Sequence, residues 1–250
     1  MIPKVVHRIW VGSASPPPIF SDATVAWQKF FSDYELILWR DKDMAELHLP
    51  SLWSSAKTYA EQADIARYNI MCLYGGVYAD CDVVPLTRFD FLWCEDDSDI
   101  VFEESPGMVS NGLFVSKPGS IVSRLASGLS AINARTESPE APPNIRTGPW
   151  VFSRAVSYAR DISPHGIRVY PPGFVQHVGD APEAYAIASS LFRDPPDGWA
   201  KVADHAVLDG TQRLRPLEVW SEAVFLARLF PARVRRRMRG WGKQFGTAFR

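Results

Sequence analysis

Seventeen residues without glycine or proline, TYAEQADIARYNIMCLY (58–74), run straight into a glycine pair and then into the alternating stretch GVYADCDVV. Ala63, Ala66, Ile70 and Leu73 recur at helical spacing as one apolar stripe, and Gly75 is the natural stop. Beyond it, Val77, Ala79, Cys81 and Val83 are predicted to face one side of a strand, and Tyr78, Asp80 and Asp82 the other. A helix that hands over to a strand so abruptly restricts the chain to folds in which helices pack on a sheet.

The rest of the chain repeats that alternation. KVVHRIWVG reads as a buried first strand closed by Gly12, and SASPPP as a loop, because successive prolines lack backbone donors. YELILW is a second strand; before it, IFSDATVAWQKFF carries Val25, Trp27 and Phe30 at helical spacing behind a cap at Ser21 or Asp22. DIVFEE and NGLFVSK are further strands, SIVSRLASGLSAI and GPWVFSRAVSYA helices, IRVYPP a late strand, and TESPEAPPN (136–144) a surface loop. No internal repeat is present, and the expected class is α/β with a mostly parallel sheet flanked by helices.

With 250 residues, 46% hydrophobic and 22% charged, the chain has the make-up of one ordinary globular domain. Seven of its 27 basic residues fall in 231–250, which holds no acid, leaving 20 against 28 acidic residues before it. That shift divides the chain into a body, 1–230, and a basic tail, 231–250. In the tail Val234, Met238, Trp241 and Phe245 recur at helical spacing between arginines, the pattern of a helix lying on an anionic membrane; a solvated, disordered tail is the alternative. Basic residues gathered in one tail argue against a nucleic-acid partner. Cys72, Cys81 and Cys94 suggest no disulfide framework, and neither a signal peptide nor a stretch of roughly 20 apolar residues is found. A cytoplasmic protein, peripheral on the inner face of the membrane if the tail binds there, is expected.

Two neighbouring carboxylates repel each other and become favourable when a divalent cation lies between them. Oxygen ligands suit Mg²⁺ or Mn²⁺ better than Zn²⁺, and a neutral Cys81 would point away from the ion. Open α/β sheets bind ligands beyond the carboxyl ends of their strands, where Asp80 and Asp82 would lie, so a metal joining them to a diphosphate follows. Upstream, Asp64 and Arg67 share a helix face at i,i+3; the plainer reading is a surface ion pair worth under about 1 kcal/mol.

Taken in order, IPKVVHRIWVG, YELILW, ADIARYNIMCLYGGVYADCDV, SNGLFVSKPG and TGPWVF resemble glycosyltransferase family 32, a group of sugar transferases with an Asp-x-Asp motif, and more distantly the large clostridial glucosylating toxins. The resemblance runs from Ile2 to about Thr211 and implies a GT-A fold with metal-dependent, retaining transfer from a nucleoside diphosphate sugar to a saccharide or lipid-linked acceptor, as in bacterial surface polysaccharide or glycolipid synthesis. UDP is favoured over GDP by analogy. Carried over, the resemblance implies that Asp82 binds the metal directly, with Asp80 contacting the metal shell and the donor. It also implies that Asp64 and Arg67 grip the sugar hydroxyls, Trp10 stacks on the base, and Tyr78 and Asn111 line the pocket. Gly75 and Gly76 shape the turn into it. His205 stands where the family has a metal-binding histidine, although Thr211 and Gln212 replace the Ser-Trp pair expected after it. Two other readings remain: a haloacid-dehalogenase-like phosphatase with Asp80 as nucleophile and Asp82 as acid, and a catalytically idle nucleotide-sugar-binding module.

Overall fold

The computed structural model describes residues 1–16, 18–47, 56–85, 87–93, 98–105, 107–137, 140–171 and 186–188. His205, Cys94, the Thr211–Gln212 pair and the basic tail from residue 231 lie outside these described residues.

Strand β1 (Val5–Ile9) is followed by helix α1 (Pro18–Phe30) and strand β2 (Glu35–Trp39). A 3-10 segment (Asp41–Leu47), helix α2 (Tyr59–Tyr74), strand β3 (Gly76–Ala79) and a short strand β4 (Val83–Pro85) come next. The hairpin of β5 (Asp99–Ser105) and β6 (Met108–Ser116) leads to α3 (Ile121–Thr136), the one-turn α4 (Pro143–Arg146), α5 (Pro149–Ile162) and β7 (Ile167–Tyr170). Strand β8 (Ala186–Ala188) pairs antiparallel with β4 as a separate small sheet.

The main sheet has the order β2-β1-β3-β6-β5-β7. β2/β1, β1/β3 and β5/β7 are parallel, and β6 is antiparallel to both β3 and β5. The five strands other than β6 therefore end on one rim, where β6 begins. This is a mixed, mostly parallel sheet between helical layers. One face packs Ile65, Tyr68 and Met71 of α2, Leu125 of α3 and Phe152 of α5 against Tyr78, Val101 and Phe114. The other packs Trp27 of α1 and the neighbouring Phe31 against Val6, Val77, Ala79 and Leu113. The period-2 alternation of Val77, Tyr78 and Ala79 thus divides β3 between two cores. No helix among the described residues is long and apolar enough to cross a membrane.

Several expectations are corrected. β3 stops at Ala79, and Asp80, Cys81 and Asp82 form a turn in which Val83 N–H donates to Asp80 O at 3.1 Å. The aspartates are therefore not side by side on one strand face. Alternation continues through the turn because Val83 resumes in a different sheet, which a local pattern cannot register. Helix α1 begins at Pro18, so Ser21 and Asp22 lie within it and do not cap it. Its inward face is Ala23 and Trp27, leading to Phe31, whereas Val25 is 63% exposed. On α2 Leu73 is 50% exposed, and the buried face instead includes Glu61, Asp64 and Arg67. Polar groups occupy that face because each finds partners there. The 136–144 stretch is shorter as a loop than expected, since α4 begins at Pro143.

The corner between α2 and β3 depends on both glycines. Gly75 and Gly76 have φ of +62° and +100°, and added Cβ atoms would meet Pro118 N at 2.5 Å and Val5 O at 2.6 Å. His7 ties this corner to the sheet. The Trp39 indole N–H donates to His7 Nδ1 at 3.0 Å, so the ring proton sits on Nε2 and is donated to Gly75 O, 2.9 Å away. Burial lowers the His7 pKa to about 4, outweighing the Gly75 hydrogen bond. Below the ordinary value of about 6.5 the unfolded chain takes up this proton and the folded chain does not, so stability falls as pH drops from there through 4. The loss amounts to about 3 kcal/mol. Thermal unfolding of His7→Gln should show a correspondingly flatter pH dependence between those limits; an unchanged slope would place the acid sensitivity elsewhere.

Candidate functional site

The rim built from the ends of β1 and β3 and the start of β6 gathers the expected charged residues. Asp80 N–H donates to Gly112 O at 2.7 Å, which seats the turn against β6. From α2, Arg67 is 5% exposed and reaches Asp80 with both arms of its guanidinium: Nη1 to Oδ2 at 3.3 Å and Nη2 to Oδ1 at 3.2 Å. Nη1 also donates to Asn111 O at 2.8 Å, Nη2 meets Asp64 Oδ1 at 3.2 Å, and Nε donates to Ala63 O at 3.5 Å. All three guanidinium nitrogens are thereby engaged. The Tyr78 ring lies beneath, 4.7 Å from the Arg67 guanidinium carbon, and its hydroxyl donates to Asp80 Oδ1 at 2.7 Å.

Asp64 is as fully committed. It is 6% exposed, and besides Arg67 it accepts from Asn111 Nδ2 at 2.8 Å and from Thr147 Oγ1 at 2.8 Å. Burial raises its pKa to about 6, with Arg67 the strongest opposing influence. Asn111 also donates to the Tyr68 hydroxyl at 2.9 Å, and that hydroxyl donates to Thr147 O at 2.8 Å. Thr147 is positioned in turn by α4, whose Arg146 forms a buried ion pair with Glu61 at 3.3 Å. Glu61 also accepts from Lys57 N–H while Thr58 caps the same helix end. Asp64 and Arg67 are therefore not a surface ion pair. They form the centre of a buried network that fixes Asp80.

Asp82 differs from Asp80 in the one respect that matters for a ligand. Its carboxylate meets its own backbone N–H and no other described group, and burial together with the charge of Asp80 raises its pKa. Cys81 turns the other way, its thiol donating to Ile9 O at 3.0 Å, and burial pushes its pKa up to about 12, so it stays neutral. Among the described residues no three metal-ligating side chains form a cluster. The donor set fits a hard divalent cation that completes its shell with phosphate oxygens and water, which is the habit of Mg²⁺ and Mn²⁺ and unlike that of a structural zinc.

The remaining expected residues are spread unevenly. Trp10 lies on the rim past β1, half-buried, with its indole N–H donating to Ala14 O at 2.8 Å and its backbone N–H to Trp39 O at 3.0 Å. Tyr78 and Asn111 stand in the network itself and not on an open wall. Gly75 and Gly76 lie at the opposite end of β3, Gly76 about 13 Å from Asp80 at 3.3 Å per residue, so they build the corner and do not line the site. Tyr68, Thr147 and Gly112 went unrecognised as site residues. The first two lie within the ADIARY and TGPW blocks, where only the blocks were legible. Gly112 is close packed: a Cβ there would meet Asp80 Oδ2 at 2.7 Å.

Residues 17–99 match a family described as a glycosyltransferase sugar-binding region containing DXD motif, which takes in Asp64, Arg67, Asp80 and Asp82. Inositol phosphoceramide mannosyltransferase 3 of Schizosaccharomyces pombe is 34% identical over 88 residues, 33% of this chain and 24% of that protein. An uncharacterized glycosyltransferase, L373, of Acanthamoeba polyphaga mimivirus is 32% identical over 92 residues, 34% of this chain and 37% of that protein. The matched stretches thus span between a quarter and two fifths of these curated relatives. The solved PaToxG glycosyltransferase shares the fold at a TM-score of 0.53 and 17% identity, covering 65% of this chain and 70% of that one. These likenesses reach across several groups of DXD transferases and do not single out glycosyltransferase family 32. A DXD-containing region seated in a GT-A fold supports an enzyme that transfers a sugar.

Proposed function

We propose that this chain transfers a sugar from a nucleoside diphosphate sugar to a saccharide or lipid-linked acceptor, with Mn²⁺ or Mg²⁺ bound at Asp82. The observation that carries this reading is the asymmetry of the two aspartates on this rim: Asp80 is held by Arg67 and Tyr78, whereas among the described residues the Asp82 carboxylate has no side-chain partner. A cation held there by Asp82, with Asp80 beside it, would stabilise the charge that develops on the departing diphosphate. Arg67 keeps Asp80 in place by a two-armed contact, and Asp64, Asn111 and Thr147 keep Arg67 in place. Trp10 at the end of β1 supplies an aromatic face for the base. Transfer with retention is carried over from the resemblance.

A lipid-linked acceptor accords with the ceramide named for the fission yeast relative. The phosphatase reading is disfavoured by the match of residues 17–99, which include Asp80 and Asp82, to a DXD-containing sugar-binding region. An idle binding module is separated from an enzyme by turnover alone. UDP and GDP, each with and without Mn²⁺, provide the test. One of them should raise the unfolding temperature more with metal than without, by an amount equivalent to about 2.7 kcal/mol at a hundredfold excess over Kd. If neither nucleotide shows any metal-dependent shift, there is no donor site of this kind.

A further inference from the structure

Arg8, within β1, is 2% exposed, and among the described residues no carboxylate comes within salt-bridge distance of it. A guanidinium buried without a paired anion is costly, so its contacts need an account. Nη1 donates to Thr24 Oγ1 at 2.6 Å and to Phe20 O at 3.4 Å, both on α1. Nη2 donates to Cys81 O at 2.5 Å. The guanidinium carbon lies 4.2 Å from the centre of the Phe20 ring, while Nε has no hydrogen-bond partner among the described residues. Burial works against the charge of Arg8; the more distant groups that favour it include Asp82 and Asp80.

Cys81 is the residue between the two aspartates. Its carbonyl is held by Arg8 and its thiol by Ile9 O, and on the other side of Asp82 the Val83 carbonyl accepts from Trp27 Nε1 at 3.0 Å. The backbone is therefore anchored on both sides of Asp82, to β1 and to α1, while among the described residues the Asp82 carboxylate meets only its own backbone N–H. We propose that Arg8 is a positioning residue for Asp82, fastening the turn between the aspartates to α1 so that the Asp82 carboxylate is aimed before a cation arrives. This rests on the metal-binding reading above. The planar fork is what the position requires, since it reaches α1 and the turn at once, and an ammonium lacks that fixed geometry.

Charge and geometry act in opposite directions here, which makes them separable. A positive charge beneath the site repels a divalent cation, whereas a fixed turn favours binding it. The test is Mn²⁺ affinity of the full chain in the presence of UDP, read from the paramagnetic resonance signal of free Mn²⁺. The proteins compared are wild type, Arg8→Lys, Arg8→Gln and Thr24→Val, with thermal unfolding recorded for each. Arg8→Lys and Arg8→Gln should both weaken Mn²⁺ binding about tenfold, and Thr24→Val severalfold while keeping a cooperative unfolding transition. Wild-type affinity in Arg8→Lys, or tighter binding in Arg8→Gln, overturns the proposal. Should the Arg8 variants fail to fold, Thr24→Val decides: weaker binding supports the role of Arg8, and unchanged binding overturns it. A wild-type chain that takes up no Mn²⁺ with UDP removes the metal site itself, and the role of Arg8 with it. A wild type that binds while all variants match it removes the role of Arg8 alone.

Discussion

Asp82→Asn is expected to lower sugar transfer by at least about a thousandfold while leaving the fold intact. The loss follows from the one feature that separates Asp82 from its neighbour. Asp80 is tied to Arg67 and Tyr78, whereas the Asp82 carboxylate has only its own backbone N–H. A neutral amide is a poor ligand for a hard divalent ion, so the variant loses metal affinity and rate together. Without metal it should be slightly more stable than wild type, by less than about 1 kcal/mol, because a partly enclosed charge repelled by Asp80 is gone. Turnover and unfolding temperature, measured on the same preparation with and without Mn²⁺, check both parts. Near wild-type turnover would remove Asp82 from the site, and a large drop in unfolding temperature would give it a structural role instead.

Arg67→Met is expected to destabilise the protein by about 3–5 kcal/mol, the cost of leaving buried carboxylates without their counter-charge. Asp64 is 6% exposed and loses the cation it is paired with, and Asp80 loses both arms of the contact with Arg67. Transfer should be lost as well, since Asp80 is then free to move. Arg67→Lys should recover part of the stability and little of the rate, because an ammonium cannot occupy five acceptor directions. Adding Asp64→Asn to Arg67→Met should cost less than the two changes summed, since the second removes the charge that the first stranded. Urea unfolding of the single and double variants measures this coupling. A loss under about 1 kcal/mol for Arg67→Met would mean the pair behaves as an exposed one.

The two variants also separate the two kinds of residue on this rim. Asp82 has no side-chain partner among the described residues, and its replacement should act on chemistry with little effect on folding. Arg67, Asp64, Asn111 and Thr147 satisfy one another first, so their replacement should act on both.

The sequence by itself determined the α/β class, the order of nearly all the described elements and the set of charged residues around the turn. These depend on periodicity over short windows, on glycine at the α2–β3 corner, and on a block, ADIARYNIMCLYGGVYADCDV, whose helix and strand are contiguous. Only the tertiary structure decided that β3 ends at Ala79, that β6 enters the sheet antiparallel, and that Asp80 is tied to Arg67 while Asp82 has no side-chain partner among the described residues. Thr147 donates to Asp64 across 83 residues of chain, and Arg8 to the Cys81 carbonyl across 73. Local spacing carries no information about which distant group will satisfy a buried donor. That choice is made when the layers pack and each polar atom removed from water must find a partner.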